Sequence, residues 1–294
     1  MDIFTDNKLH PGHDTAIKPH YKEYFDTVFI AFSPFFKLNN GGFSKEGYQR
    51  SQQISFDEAQ TANELFQKMP KPAADIYSYN NESYPDDDAI YEKAEQVSWN
   101  AVKEGCGFQS FDEINRALKT SIGAYRRIFK RADLAQTLSD FATANQIYYP
   151  TEGHFEVLSK KQMLKAFRML AKENVVIEEQ FGLNKRELNI ASIEEKEFVD
   201  TINFHDYFIY DASKELLFAV DWDDFFFLIC SNRQIVDKLV GTLNFEGFYC
   251  DDTTESAWDL TREEIEAGLQ IEKQRENIKQ TNQLVDKKPW WKFW

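Results

Sequence analysis

Cysteine, histidine and glycine are all scarce in this chain, at 3, 5 and 12 of 294 residues. Cys106, Cys230 and Cys250 are scattered, odd in number and without C-x-x-C spacing, which argues against a disulfide framework and a structural zinc site. The start, M-D-I-F-T-D-N-K, lacks a basic segment followed by an apolar one, and no apolar run approaches the span of a bilayer. A reducing cytoplasm is the expected location. No glycine-rich loop accompanies the acidic clusters, and the densest segment, Glu215 to Trp258, matches no catalytic signature. Neither a cofactor nor a metal site is read from the sequence.

Basic residues are also in deficit: 34 against 49 acidic ones, for a formal net charge of -15. Long-range repulsion then opposes nucleic acid and anionic lipid over most of the surface and favours a basic partner. Simple solubility accounts for the same excess and ranks ahead of a dedicated acidic face. What is abundant is aromatic: 26 Phe and 13 Tyr, so the core is expected to be built from rings. With 42% hydrophobic and 28% charged residues the composition is that of a folded globular protein, long enough for one large or two medium domains.

Residues 1–54 read as an arm with a short element, V-F-I-A-F-S-P-F-F, packed on the main body. Residues 55–260 read as one domain, helical over 55–172 and sheet-forming over 173–260. In the helical part, Ser55-Phe-Asp-Glu58 and Ser110-Phe-Asp-Glu113 have capping-box spacing, and Asp86–Asp88 suit the positive end of a helix running to about Lys103. Helical periodicity is carried by Ile122, Tyr125, Phe129, Ala132, Leu138 and Phe141, with a break near Asp133, and another helix opens at Ser159. After Glu173 come short β-rich runs at 175–178, 207–210, 216–220 and 225–229, the second and third joined by a D-A-S-K turn. The last, F-F-F-L-I, does not alternate, which predicts cover on both faces, and Arg233–Leu243 has the periodicity of a covering helix. Thr261-Arg-Glu-Glu264 opens a polar helix that leads, over 261–294, to the tail K-K-P-W-W-K-F-W. The fold class is therefore α+β: a mainly helical N-terminal half packed with a largely antiparallel small sheet, plus a C-terminal polar helix.

Asp221, Asp223 and Asp224 flank Trp222 between two strands, where carboxylates can bind a metal or transfer protons. A polar turn solvating the hairpin end ranks ahead, because no histidine stands nearby in sequence. Asp251 and Asp252, followed by two threonines, suit a cation or a partner surface, with an ordinary turn ranking ahead of cation binding. Cys230 and Cys250 read as buried apolar thiols, with a facing position across the sheet as the alternative. His10 and His13 have H-x-x-H spacing, which holds a metal only if the chain turns there, and His154 and His205 read as structural. Arg126, Arg127, Lys130 and Arg131 fall on one helical stripe, either an anion-binding patch or an internal counterweight to the acids. Trp290, Trp291, Phe293 and Trp294 need to dock on something, in cis or in trans, or on a membrane interface through this tail alone.

The segments T-S-I-G-A-Y-R-R-I-F-K-R-A-D-L-A (Thr120 to Ala135), V-D-W-D-D-F-F-F-L-I-C (Val220 to Cys230) and E-G-F-Y-C-D-D-T-T-E-S-A-W (Glu246 to Trp258) resemble a family of bacilli and their relatives, domain of unknown function 2711. The resemblance runs from about Tyr84 to Trp258 and implies no activity and no site residues. A non-enzymatic protein-binding role, immunity-like or regulatory, is the leading expectation. Behind it stand an enzyme acting on a phosphorylated or nucleotide ligand, with the basic stripe as clamp and the strand-end aspartates as metal or proton holders, and a membrane-associated scaffold.

Overall fold

The phenylalanine run expected to be covered on both faces is an inner strand of a seven-stranded sheet, and every one of its residues is buried. The structure, a computed structural model, describes residues 3–4, 9–12, 15–62, 67, 69–71, 75–79, 83–182 and 184–286. The elements run α1 (Ile17–Tyr21), β1 (Thr27–Phe32), β2 (Phe35–Leu38), β3 (Ser51–Ile54), α2 (Phe56–Ala62), β4 (Ile76–Tyr79), α3 (Asp87–Lys93), β5 (Ala94–Val97), α4 (Trp99–Cys106), α5 (Phe111–Ile122), α6 (Ala132–Asn145) and α7 (Val157–Met169). They continue with β6 (Asn174–Glu179), β7 (Lys185–Asn189), α8 (Glu195–Thr201), β8 (Asp206–Asp211), β9 (Leu217–Val220), β10 (Phe226–Ser231), α9 (Arg233–Leu243), β11 (Gly247–Tyr249) and α10 (Arg262–Asp286). The architecture is α+β.

The large sheet has the order β11-β1-β10-β9-β8-β6-β7, and all its pairs are antiparallel. Two short ladders, β2 with β5 and β3 with β4, stand apart from it. The V-F-I-A-F segment is thus an interior strand, paired with β10 on one side and β11 on the other, rather than an element laid on the outside. Its residues are buried without alternation for the same reason as those of β10: both faces are covered.

Register divides the rings between the faces. Phe218, Phe227 and Ile229 share one face with Phe29 and Ala31 and meet Phe155, Phe167 and Phe245. Phe32, Phe226 and Phe248 point the other way and surround Trp258, with Trp99 stacked on Phe32 at 4.2 Å between centroids. Each fully buried ring of this kind contributes roughly 1.5–3 kcal/mol of transfer free energy.

Helix ends follow local chemistry. Ser55 and Glu58 exchange the two capping-box hydrogen bonds, Thr261 and Glu264 do the same, and Asp86 accepts from Ala89 N–H. Ser110 makes no side-chain cap, and Glu113 instead accepts from Gln109 N–H. The helix expected to reach Lys103 is interrupted: Ala94–Val97 leaves it to pair with β2, and Ser98 caps a new helix. The periodic stretch after Ile122 is interrupted too, because Gly123 closes α5 in the left-handed conformation at φ 78°.

Candidate functional site

The β9–β10 turn closes tightly: Asp224 N–H donates to Asp221 O, and Asp223 takes φ 61°. The strand ends at Val220, and the turn that follows brings Asp221 and Asp224 together. Trp222 at the tip is 57% exposed. Gly153 N–H donates to Asp224 O at 3.0 Å, which joins the turn to the loop between α6 and α7.

Two groups distant in sequence, Lys119 and His10, converge on this turn. Lys119, on the inward face of α5, places its ammonium 2.8 Å from Asp224 Oδ1, with side chains only 10% and 2% exposed. Burial alone would lower the Lys119 ammonium, but the charges of Asp224 and Asp259 and the hydrogen bond to Asp224 together hold it above its ordinary value. His10 Nδ1 lies 3.4 Å from Asp221 Oδ2 and 2.8 Å from Pro11 O. Donor atoms of His10, Asp221 and Asp224 lie within 4.8 Å of one another, a set that can hold a divalent cation and that joins two segments the sequence reading weighed separately without assigning a metal.

A second buried set borders the turn. Burial raises the Glu152 carboxyl to about 7, with the charges of Asp223 and Glu156 adding to the effect and Arg50 opposing it. His154 meets Thr151 Oγ1 at 2.6 Å and Glu152 O at 3.0 Å. Burial first, then the charges of Arg50 and Lys160, pull its imidazole down to about 3, so it is neutral near pH 7.

The basic residues do not form the helical stripe expected of them. Arg126, Arg127, Lys130 and Arg131 lie in the turn between α5 and α6, since Gly123 ends the helix before them. Arg126 pairs with Glu272 at 2.7 Å, Lys130 with Asp75 at 2.6 Å and Arg131 with Asp133 at 2.6 Å. Three of the four charges are thus paired with other carboxylates, and it is Lys119 that reaches Asp224. Its signal in sequence was slight: a lysine at an inward position of an amphipathic helix.

Asp251 and Asp252 stand on the rim of a cleft of about 660 Å³ on the Trp258 side of the sheet. Asp251 Oδ1 accepts from the N–H and the hydroxyl of both Thr253 and Thr254, which pulls its carboxyl down to about 2 and keeps it ionised. Ile17 N–H donates to Thr254 O at 2.8 Å, and Lys18 pairs with Asp252 at 3.0 Å, so α1 holds the rim from outside. Phe248 and Trp258 line it with aromatic rings, and Asp112 and Glu255 add two carboxylates to the lining. Arg262 offsets Glu255 at 2.9 Å. Partial burial raises the Asp112 carboxyl, Ser110 opposes the rise, and the charge of Asp259 adds to it. Asp259 is itself 5% exposed and bonded to the Tyr125 hydroxyl.

Cys230 and Cys250 do not face each other. Cys230 is paired with Val28 across β1–β10 and Cys250 N–H donates to Val28 O from the opposite side, so a strand separates the thiols. Trp290, Trp291, Phe293 and Trp294 lie outside the described residues, as does His13. Among the described residues no helix is long and apolar enough to cross a membrane.

The family model described as "Protein of unknown function (DUF2711)" matches residues 13–260. The match begins in the N-terminal segment rather than near Tyr84, in keeping with Thr27–Phe32 being an interior strand of the common sheet. A protein of Bacillus subtilis (strain 168), described as "Uncharacterized protein YwbB", is 28% identical over 180 residues, covering 60% of this chain and 77% of the relative. No solved structure matches the chain.

Proposed function

We propose that this chain, which belongs to the DUF2711 family of proteins of unknown function, serves as a binding protein for a basic protein partner, received in the cleft beneath Asp251–Glu255. One observation carries the reading: Asp112, Asp251, Asp252 and Glu255 line a cleft together with Phe248 and Trp258. Carboxylates around aromatic faces suit a cationic side chain, which gains Coulomb attraction at the rim and cation–π attraction at the rings. The net charge of -15 steers such a partner toward the chain. Titration of the full-length chain with a short peptide rich in arginine and lysine tests it. Binding is expected to weaken as salt rises and to fall about tenfold in Asp252→Asn/Glu255→Gln. Absence of binding, or an unchanged affinity in that variant, rejects the reading.

The closeness of His10, Asp221 and Asp224 favours a second reading, in which the strand-end cluster holds a first-row divalent cation for a metal-assisted reaction. Its anion clamp would have to be found elsewhere than at Arg126, Lys130 and Arg131, whose charges are already paired. Zinc or manganese is then expected to raise the melting temperature of the wild-type chain and not that of His10→Ala/Asp221→Asn. An identical response of the two proteins removes this reading.

A further inference from the structure

Tyr77, on β4, lines two openings of different chemistry, a cleft of about 550 Å³ and a pocket of about 270 Å³, so the two spaces meet at this residue. The cleft is polar and almost uncharged. Ala132, Ala135, Gln136 and Ser139 share one face of α6, and three short side chains there leave room that larger ones would fill. Gln49, Gln52, Gln53 and Gln136 supply amides and Thr120 and Ser121 hydroxyls, while Lys45 and Glu46 bring charges of opposite sign. Gln53 is the register partner of Tyr77 on the β3–β4 ladder, which sets both side chains on one face. The amide nitrogens of Gln49, Gln52 and Gln136 donate to Tyr48 Oη, Glu46 O and Asp140 Oδ1, and their carbonyl oxygens are left to receive donors from a ligand.

The pocket is basic. Arg126, Arg127 and Lys130 line it against one carboxylate, Asp75, and with Glu272, the partner of Arg126, counted as well, the cations still lead three to two. This is a local reversal of sign in a chain of net charge -15. Arg127 is exposed and enters no ion pair among the described residues. The pairs that occupy its neighbours do not exhaust them. Lys130 uses two of its three donors, on Asp75 and Tyr77, and Arg126 uses one of its five, on Glu272. Donors therefore remain at the pocket after the internal pairs have formed.

We propose that the two spaces form one site for a phosphorylated sugar or a similar phosphate monoester of a hydroxyl-rich molecule, with the phosphoryl group at Arg126, Arg127 and Lys130 and the hydroxylated body among the glutamines beyond Tyr77. The division follows from charge. Amide oxygens accept from hydroxyls and repel an anion, whereas guanidinium and ammonium groups attract the anion and give it charge-assisted hydrogen bonds. A phosphoryl group carries nearly two negative charges at neutral pH and presents oxygens that a guanidinium meets in bidentate fashion. The spaces are of the size that small-molecule sites take, roughly 300–1,000 Å³. They share no lining residue with the cleft beneath Asp251–Glu255, so this site is independent of the partner reading above.

Calorimetric titration of the full-length chain with ribose 5-phosphate, ribose and inorganic phosphate tests both halves of the site, and glucose 6-phosphate with glucose repeats the test on a second sugar. At least one sugar phosphate is expected to bind about tenfold or more tightly than its free sugar and than inorganic phosphate. Arg127→Gln, at an exposed position outside any ion pair, is expected to lower that affinity about tenfold without moving the melting temperature. Gln136→Ala, at an exposed position of α6, is expected to weaken the sugar phosphate about threefold and to leave inorganic phosphate unchanged. Failure of both sugar phosphates to bind overturns the site. Equal affinities for sugar phosphate and inorganic phosphate overturn the joining of the two spaces, and unchanged sugar phosphate binding in either variant overturns the assignment to these residues.

Discussion

The Lys119 ammonium and the Asp224 carboxylate, 105 residues apart in sequence, meet at 2.8 Å in a place almost closed to water. The pair fastens α5 to the β9–β10 turn, and through Gly153 N–H to Asp224 O it also reaches the loop that carries Glu152 and His154. Ions so deeply placed have given up hydration, so each depends on the other far more than partners in an exposed bridge do. Lys119→Met is therefore expected to cost about 3–5 kcal/mol in urea unfolding, because Asp224 is left as a buried charge. Lys119→Met/Asp224→Asn is expected to recover more than half of that loss. A single-variant cost below about 1 kcal/mol would put the pair in the class of surface bridges.

The response to pH is expected to come in part from two neighbours with opposite signs. Glu152 is raised from 4.5 to about 7 in the folded chain, so it contributes stability that is full below pH 4.5 and lost as pH rises through about 7. His154 is lowered from 6.5 to about 3, so its contribution is full above pH 6.5 and lost as pH falls toward about 3. Between pH 4.5 and 6.5 their slopes oppose each other. Relative to the wild-type chain, Glu152→Gln should gain stability, on the order of 1–3 kcal/mol, as pH rises through this window to about 7. His154→Asn should gain relative stability as pH falls from about 6.5. Urea midpoints measured across the range decide it, and parallel curves for wild type and variants would contradict both assignments.

Gly123 ends α5 at φ 78° with the Tyr77 ring lying where a β-carbon would point. Gly123→Ala should cost about 1–2 kcal/mol from backbone conformation and more from displacement of that ring. Chemical denaturation measures the loss, and a neutral outcome would mean that the α5–α6 turn relaxes at no cost.

The cysteines should behave as three separate buried or half-buried thiols. Burial holds the Cys106 thiol up at about 11 and the Cys250 thiol up at about 12, and it raises Cys230 as well. Labelling of the native chain at neutral pH should be slow at all three and should become fast on unfolding. An oxidant should produce no Cys230–Cys250 bond, because the strand carrying Val28 stands between them. Mass spectrometry of digests reads both outcomes, and a native cross-link would contradict the sheet order.

Much of the secondary structure was legible because its causes are local. Ser55 with Glu58 and Thr261 with Glu264 announce helix starts within four residues, and the unalternating Phe225–Ile229 run announces a strand covered twice. Of the candidate sites, Asp251 and Asp252 were legible as surface acids, and the structure gives them a cleft. Lys119, Asp259, Glu152 and His10 were not legible as partners, since nothing near them in sequence specifies what they meet.

By itself, the sequence determined the α+β class, the aromatic core and the surplus of negative charge, because composition and short-range periodicity act through burial and local hydrogen bonding. Only the tertiary structure decided that Thr27–Phe32 is an interior strand, that Arg126, Lys130 and Arg131 pair with Glu272, Asp75 and Asp133, and that Lys119 reaches Asp224. The physical reason is range: a cap or a β-run is stabilised within a few residues, whereas a strand's neighbours and a buried ion's partner are chosen when distant segments pack. Each lysine and aspartate carries the same charge wherever it stands in the sequence, and packing decides which of those charges lose their water and must be answered.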